Sequence, residues 1–158
     1  MSKAKNITLT AIVPVYNEEI FLRESVSRLL DENIVDKILI IDDCSTDGST
    51  QIINDLVNEN KSIEKFRTSV NGGKGAAIRL IQKSVTTDYS IIHDADLEYF
   101  PKDIKKLVSK INLQYPTFVI GSRFINNIKP QNYYRTYFAN KFLSGLFSIV
   151  YRKKITDI

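Results

Sequence analysis

The segment Tyr89-Ser-Ile-Ile-His-Asp-Ala-Asp-Leu-Glu98 joins an apolar run to three carboxylates at alternate positions. Ile91 and Ile92 read as a buried strand, and Asp94, Asp96 and Glu98 follow at its end. Alternation points Asp94 and Asp96 the same way if the backbone stays extended. Two close carboxylates repel one another, so holding both ionised calls for a cation. Hard oxygen ligands suit Mg2+ or Mn2+, above all when substrate phosphates complete the shell. A plain polar exit from a strand accounts for the three acids equally well, so the neighbouring sequence has to decide.

Upstream, Thr8 to Val15 (TLTAIVPV) is β-branched and apolar and reads as a buried strand, with Pro14 suited to its end. Asn17 is placed to cap a helix with Glu18 and Glu19 in its first turn and Phe21, Leu22, Val26, Leu29 and Leu30 on one face. Asp36 to Asp42 is a second strand. A turn-rich loop to Ser49 precedes a helix with Ile52, Ile53, Leu56 and Val57 inward. A short strand near 63–69 leads to Asn71-Gly-Gly-Lys-Gly75 and a helix carrying Ala77, Ile78, Ile81 and Val85. Downstream, Pro101 suits the first turn of a helix with Ile104, Leu107, Val108 and Ile111 on its face. Thr117 to Ser122 reads as a fifth strand, and Tyr137, Phe138, Phe142, Leu146 and Val150 recur at helical spacing. Strands alternating with amphipathic helices predict an α/β fold with a mainly parallel sheet.

The chain has 158 residues, the size of one domain with one core, and this predicts a single domain over 1–158. Its single cysteine excludes an internal disulfide and leaves reducing cytosol as the default compartment. Met1 to Asn6 lacks the apolar core of a signal peptide. No run approaches the roughly 18–20 apolar residues of a membrane span. The net charge of +4 hides an asymmetry. Residues 1–103 hold 17 acids and 12 Lys/Arg, whereas residues 104–158 hold 10 Lys/Arg and the single acid Asp157. A basic half beside an acidic half points to an anionic partner, for which nucleic acid, a diphosphate and an anionic membrane all qualify, or else to a solvated basic face.

In parallel α/β sheets, ligands bind beyond the carboxyl ends of the strands. The polar clusters fall at those ends: Tyr16-Asn-Glu18, Asp42-Asp43, Asn71-Gly-Gly-Lys74, Asp94-Ala-Asp96 and Ser122-Arg123. Asp42 and Asp43 suit a ribose or base edge, with helix capping the alternative for Asp42. The glycine-rich loop lets backbone approach a ligand and offers Lys74 as a cation, although it lacks the Walker or G-x-G-x-x-G spacing. His93 reads as a packed structural residue and Cys44 as a small loop residue. Arg123 is suited to meeting a phosphate.

Taken in order, Val13-Pro-Val-Tyr-Asn-Glu-Glu19, Ile41-Asp-Asp-Cys-Ser-Thr-Asp-Gly-Ser49, Asn71-Gly-Gly-Lys-Gly-Ala-Ala-Ile-Arg79, Asp94-Ala-Asp-Leu-Glu98 and Gly121-Ser-Arg-Phe124 resemble the motif series of family 2 glycosyltransferases. The resemblance is greatest to dolichol-phosphate mannosyltransferases and polyprenyl-phosphate sugar transferases. It implies a GT-A fold, a GDP- or UDP-sugar donor, a divalent Mg2+ or Mn2+ cofactor and inversion at the sugar carbon. Carried over by position, it implies nucleotide binding by Pro14, Tyr16, Glu18, Asp43, Lys74, Asp94 and Ala95. Asp94, Asp96 and Glu98 would hold the metal, with Glu98 standing where relatives often have Gln. Asp94, Asp96, Arg123 and, by looser alignment, Arg135 would act on the reacting phosphates.

The expected reaction moves a hexose to a polyprenyl phosphate at the cytoplasmic face of a membrane. Contact with that membrane, directly or through a membrane partner subunit, is expected; nucleic acid is not. The alternatives are a hydroxyl or polysaccharide acceptor, or nucleotide-sugar binding without turnover. Relatives continue beyond the segment matching Ile155-Thr-Asp157, so the expectation is a fragment of a longer enzyme or a minimal form.

Overall fold

The computed structural model describes residues 7–111, Thr117, Val119, Gly121, 142–145 and Ser148. Contacts divide the chain into two compact units, Met1–Lys106 and Leu107–Ile158. The elements in order are β1 (Leu9–Val15), α1 (Leu22–Asp31), β2 (Lys37–Asp42), α2 (Ser49–Glu59), β3 (Ile63–Arg67), α3 (Lys74–Ile81), β4 (Tyr89–Ile92) and α4 (Lys102–Val108). The four strands pair in parallel in the order β3-β2-β1-β4.

Given that order, right-handed βαβ crossovers put α1 and α2 on one face of the sheet and α3 on the other. The chain runs outward from β1 through β2 to β3, then returns across the sheet to place β4 on the other side of β1. The crossover direction therefore reverses between β1 and β4, and such a switch point opens a crevice at the carboxyl edge. One sheet face buries Ile12, Leu39 and Ile41 against Ala77 and Ile81 of α3, with Phe66, Ile78 and Val85 packed around them. By alternation Ala11, Val13, Ile38 and Ile40, all fully buried, point to the opposite face. On α1, Leu22, Val26 and Leu29 are buried, and on α2, Ile53 and Leu56. Each such side chain contributes about 1.5–3 kcal/mol through burial.

Pro14 sits in the central strand without an orphaned partner. The Ile12 carbonyl accepts from His93 on the β4 side, and the Val15 carbonyl accepts from Asp43 on the β2 side. Pro14, two residues beyond Ile12, faces the β4 side, past the last β4 pair at Ile92. No ladder hydrogen bond is lost there.

Several expectations change. Ile92 is 49% exposed rather than buried, because it lies on the outer strand of the described sheet. Asn17 does not cap α1: Phe21 and Leu22 donate to the Glu18 carbonyl, and the helix begins at Leu22. Phe21, the residue before the helix, is 42% exposed. The α3 helix stops at Ile81 and tightens into a 3-10 turn over Gln82–Ser84, so Val85 packs on the core from outside the helix. Pro101 precedes α4 and Ile111 follows it.

The fifth strand expected over 117–122 lies largely outside the described residues, as do Arg123 and Arg135. Of the last amphipathic stretch, residues 142–145 and 148 are helical, with Phe142 exposed and Ser144 buried. The Ser148 hydroxyl donates to the Ser144 carbonyl at 2.7 Å.

Candidate active site at the carboxyl edge of the sheet

The loop after β1 is clasped to the loop after β2 by reciprocal hydrogen bonds. The backbone N–H groups of Asn17, Glu18 and Glu19 donate to Ser45 Oγ (3.1 Å), Ser49 Oγ (2.8 Å) and Asp47 Oδ2 (3.2 Å). In return, Thr46 N donates to Asn17 Oδ1 at 2.8 Å and Gly48 N to Glu19 Oε2 at 2.7 Å. Asn17 takes a left-handed conformation, φ 56°, which asparagine tolerates better than most residues. A Cβ on Gly48 would come 2.8 Å from Glu19 Oε2, so a larger residue there would push the Glu19 carboxylate off its bond to Gly48 N. Asp47 Oδ1 accepts from Ser49 N and satisfies a free donor at the start of α2. Burial pushes the Asp47 carboxyl up, but the bonds from Ser49 and Glu19 outweigh it and hold it below its ordinary value. The clasp fixes the backbone beneath Tyr16, which is half-exposed, and Glu18, which is partly buried.

Asp42 and Asp43 have separate duties. Asp42 accepts from Ser45 N, Thr50 Oγ1 and Arg67 Nη1, so it is an internal brace rather than a ribose contact. Asp43 reaches the other way. Its Oδ1 accepts from Thr68 Oγ1 (2.8 Å) and Gly72 N (3.1 Å), and its Oδ2 from Gly73 N (2.6 Å). Burial pushes this carboxyl up, but the three donors prevail and hold it low. With two acceptor positions per carboxylate oxygen, one on Oδ2 takes no donor among the described residues. Asp43 thus moors the glycine-rich loop from beneath. Gly73 has φ 79° and ψ 163°, a conformation that essentially only glycine adopts.

From that loop, Lys74 begins α3 and reaches Asp94, with Nζ 2.6 Å from Oδ1 and 2.7 Å from Oδ2. The Asp94–Asp96 backbone is not extended, contrary to the simple alternation argument. The strand ends at Ile92, a turn covers Ala95 and Asp96, and Leu97 has φ 63°. Asp96 Oδ1 accepts from Glu98 N at 3.0 Å, closing the turn locally. Asp96 and Glu98 are exposed, Ala95 is buried and Asp94 is partly buried. His93 is buried with Nε2 3.2 Å from Ser25 Oγ of α1, the packed role expected of it. Burial disfavours its charged form and outweighs the pull of Asp94 and Asp96.

Electrostatics ties the β1 and β4 ends together. The Glu18 carboxyl is held above its ordinary value, first by burial and then by the charges of Asp96, Asp47 and Asp94. This is a field that a cation would relieve. Among the described residues, no three carboxylate, imidazole or thiol groups are close enough to hold a metal by themselves. Asp94 and Asp96 offer two carboxylates at the turn after β4, and a hard ion completed by substrate phosphates would need only one or two.

Of the nine described candidates, Tyr16, Glu18, Asp43, Lys74, Asp94, Ala95, Asp96 and Glu98 lie in loops at this edge or at the α3 start, and Pro14 lies at the end of β1. The sequence reading missed Ser45, Ser49 and Glu19 as clasp members, and Thr68 and Ser25 as braces. Three of the four positive-φ non-glycine residues among those described, Asn17, Cys44 and Leu97, lie in these loops. Unfavourable backbone clusters where function holds it in place.

A family model described as glycosyl transferase family 2 matches residues 10–157. Similar proteins include the dolichol-phosphate mannosyltransferase of Mycosarcoma maydis, 30% identical over 78% of this chain and 44% of that protein. The UDP-N-acetylglucosamine–dolichyl-phosphate N-acetylglucosaminyltransferase of Methanococcus voltae is 31% identical over 73% of this chain and 51% of that protein. The chain thus spans about half the length of these curated relatives. Among solved structures, the mannosyltransferase PcManGT from Pyrobaculum calidifontis in complex with GDP-Man and Mn2+ superposes with a TM-score of 0.54 at 22% identity, over 57% of this chain and 28% of that one. S. aureus TarS 1-349 in complex with UDP-GlcNAc gives 0.57 at 23% identity, over 65% and 30%. These likenesses show the GT-A fold. The family match runs through nearly the whole sequence, from the first strand to the penultimate residue, and the chain belongs to glycosyl transferase family 2.

Proposed function

We propose that the chain is the donor-binding and catalytic part of a metal-dependent, inverting glycosyltransferase that moves a hexose from a GDP- or UDP-sugar to a polyprenyl phosphate. The observation that carries this reading is the turn after β4, where Asp94 and Asp96 stand at the carboxyl edge with Lys74 Nζ 2.6 Å from Asp94, in a chain that matches glycosyl transferase family 2 over residues 10–157. Tyr16 offers an exposed ring to the base, and Pro14 and Glu18 shape the same wall. Asp43 serves the nucleoside through its open acceptor position and through the loop it moors. Asp94 and Asp96 hold the ion, Glu98 assists and Ala95 lines the floor. When bound, a divalent ion neutralises charge on the departing diphosphate. Arg123 and Arg135, outside the described residues, are assigned to the phosphates of donor or acceptor.

A phosphate acceptor is already anionic near neutral pH and needs little help from a general base, whereas a hydroxyl acceptor needs one. The curated relatives named for dolichyl phosphate support the phosphate acceptor. No helix among the described residues is long and apolar enough to cross a membrane. The basic stretch 104–158 supports peripheral contact with an anionic membrane, or with a membrane partner, at its cytoplasmic face. The test is transfer from labelled GDP- and UDP-sugars, with Mn2+, to polyprenyl phosphate and to oligosaccharides in parallel. Product on the lipid phosphate alone is expected. Product only on oligosaccharide overturns the acceptor assignment, and nucleotide binding without product on either overturns turnover by this chain.

A further inference from the structure

We propose that Lys74 is a built-in counter-cation for Asp94, which the divalent ion displaces and which then turns to the donor diphosphate. The inference rests on the metal and donor site proposed above. Lys74 Nζ lies 2.6 Å and 2.7 Å from the two oxygens of Asp94, so the ammonium covers the carboxylate edge that a metal would use. The pair stands in an acidic field: Glu18 feels both Asp94 and Asp96. The ammonium lowers the repulsion that would otherwise build up there without donor.

The placement is not one that helix stability would select. Lys74 is the first residue of α3, at the positive end of the helix dipole, and the first turn contains no acid. Its backbone is fixed, because Asp43 holds Gly72 N and Gly73 N. A Cβ on Gly72 would also come 2.9 Å from Ala76 Cβ, so the loop packs tightly on its own helix. The lysine side chain, by contrast, is half-exposed and leaves a fixed base on four rotatable carbons. A fixed base with a free arm suits a charge that changes partners. The ammonium cannot stay on both Asp94 oxygens while a metal takes one. The diphosphate that arrives with the metal would give it a new anionic partner.

The exchange predicts effects of opposite sign from one substitution. Mn2+ binding to the full chain is measured by electron paramagnetic resonance without nucleotide, and UDP and GDP binding by calorimetry at saturating Mn2+. Lys74→Met is expected to bind Mn2+ about two- to five-fold more tightly, the scale of a partly exposed ion pair. It is expected to bind the nucleotide diphosphate at least ~10-fold more weakly, the scale of a lost charge-assisted bond. Lys74→Arg, which keeps the charge, should stay near wild type on Mn2+, and Lys74→Gln repeats the Met result without an apolar side chain. Melting temperatures check that each variant is folded.

Unchanged or weaker Mn2+ binding in folded Lys74→Met and Lys74→Gln overturns the exchange. If Asp96→Ala still abolishes Mn2+ binding in that case, the metal site itself stands. Tighter Mn2+ with unchanged nucleotide affinity overturns the hand-over to the diphosphate. Absence of Mn2+ binding to wild type both without nucleotide and at saturating UDP or GDP overturns the site and the exchange together.

Discussion

The loop after β1 and the loop after β3 serve the same edge of the sheet but are held in opposite ways. The first is tied to the β2–α2 loop through backbone groups at Asn17, Glu18, Glu19, Thr46 and Gly48. The second is moored at Gly72 and Gly73 by one carboxylate and reaches the site through one half-exposed side chain. Backbone fixed by several donors cannot move without leaving several polar groups unsatisfied, each costing about 1–3 kcal/mol if buried. A single exposed ion pair holds on the order of 0.2–1 kcal/mol and can be exchanged. Part of the site is therefore a preset wall, and part is an adaptable arm.

The contrast can be broken from either side. The largest effect is expected at the β4 end, where Asp96→Ala should reduce Mn2+-dependent nucleotide binding ~100-fold or more, beyond what lost outer-shell partners cost. The fold should persist, because Asp96 is exposed and its one bond among the described residues only closes a turn. Nucleotide affinity in Mn2+ unchanged by this substitution would remove the basis of the metal assignment.

Next in size, Asp43→Asn turns an acceptor toward two backbone donors into a mixed group. A stability loss of about 1.5–3 kcal/mol is expected, together with weaker nucleotide binding even without metal. Faster amide exchange at Gly72 and Gly73 should accompany it. Protection unchanged at both glycines would show that Asp43 does not moor the loop.

Gly48→Ala strikes the clasp, where the added Cβ meets Glu19 Oε2 at 2.8 Å. A loss of about 0.5–1 kcal/mol is expected in chemical denaturation, the scale of one exposed hydrogen bond given up as Glu19 swings aside. Gly75→Ala, with nothing within 4 Å, should be neutral or stabilise by up to ~1 kcal/mol, since alanine favours a helix. Equal losses at the two positions would erase the difference between wall and arm.

The pH dependence is smaller and sharpens the comparison. Asp43 and Asp47 both have carboxyls held below their ordinary value in the folded chain. Their contribution to stability is therefore complete above the unfolded value of ~3.9 and is lost as pH falls through the folded value. Denaturation midpoints should drop below about pH 4, and less steeply in Asp47→Asn. The smallest change is expected for Glu98→Gln, which keeps an oxygen and should shift Mn2+-dependent binding by only ~2- to 3-fold.

The strand and helix pattern was legible because one face of each element is apolar with a period of two or 3.6 residues. That pattern, with right-handed crossovers, places the Tyr16, Asp43, Asn71 and Asp94 loops at one edge before any side-chain geometry is known. Local chemistry also identified Asp94 and Asp96 as an acidic pair and His93 as a packed residue. The partners of each polar group were not legible. Asn17 is as good a helix cap as it is a clasp, and only the approach of Thr46, 29 positions away, selects the second. Asp42 and Asp43 are chemically identical neighbours, yet one braces Arg67 and the other holds Gly72 and Gly73. Such choices depend on which segments the sheet brings within hydrogen-bonding distance, and sequence spacing carries no record of that. Periodicity of apolar residues determined the scaffold and the edge where the polar loops gather; tertiary contact decided which carboxylates brace those loops and which stay exposed at that edge.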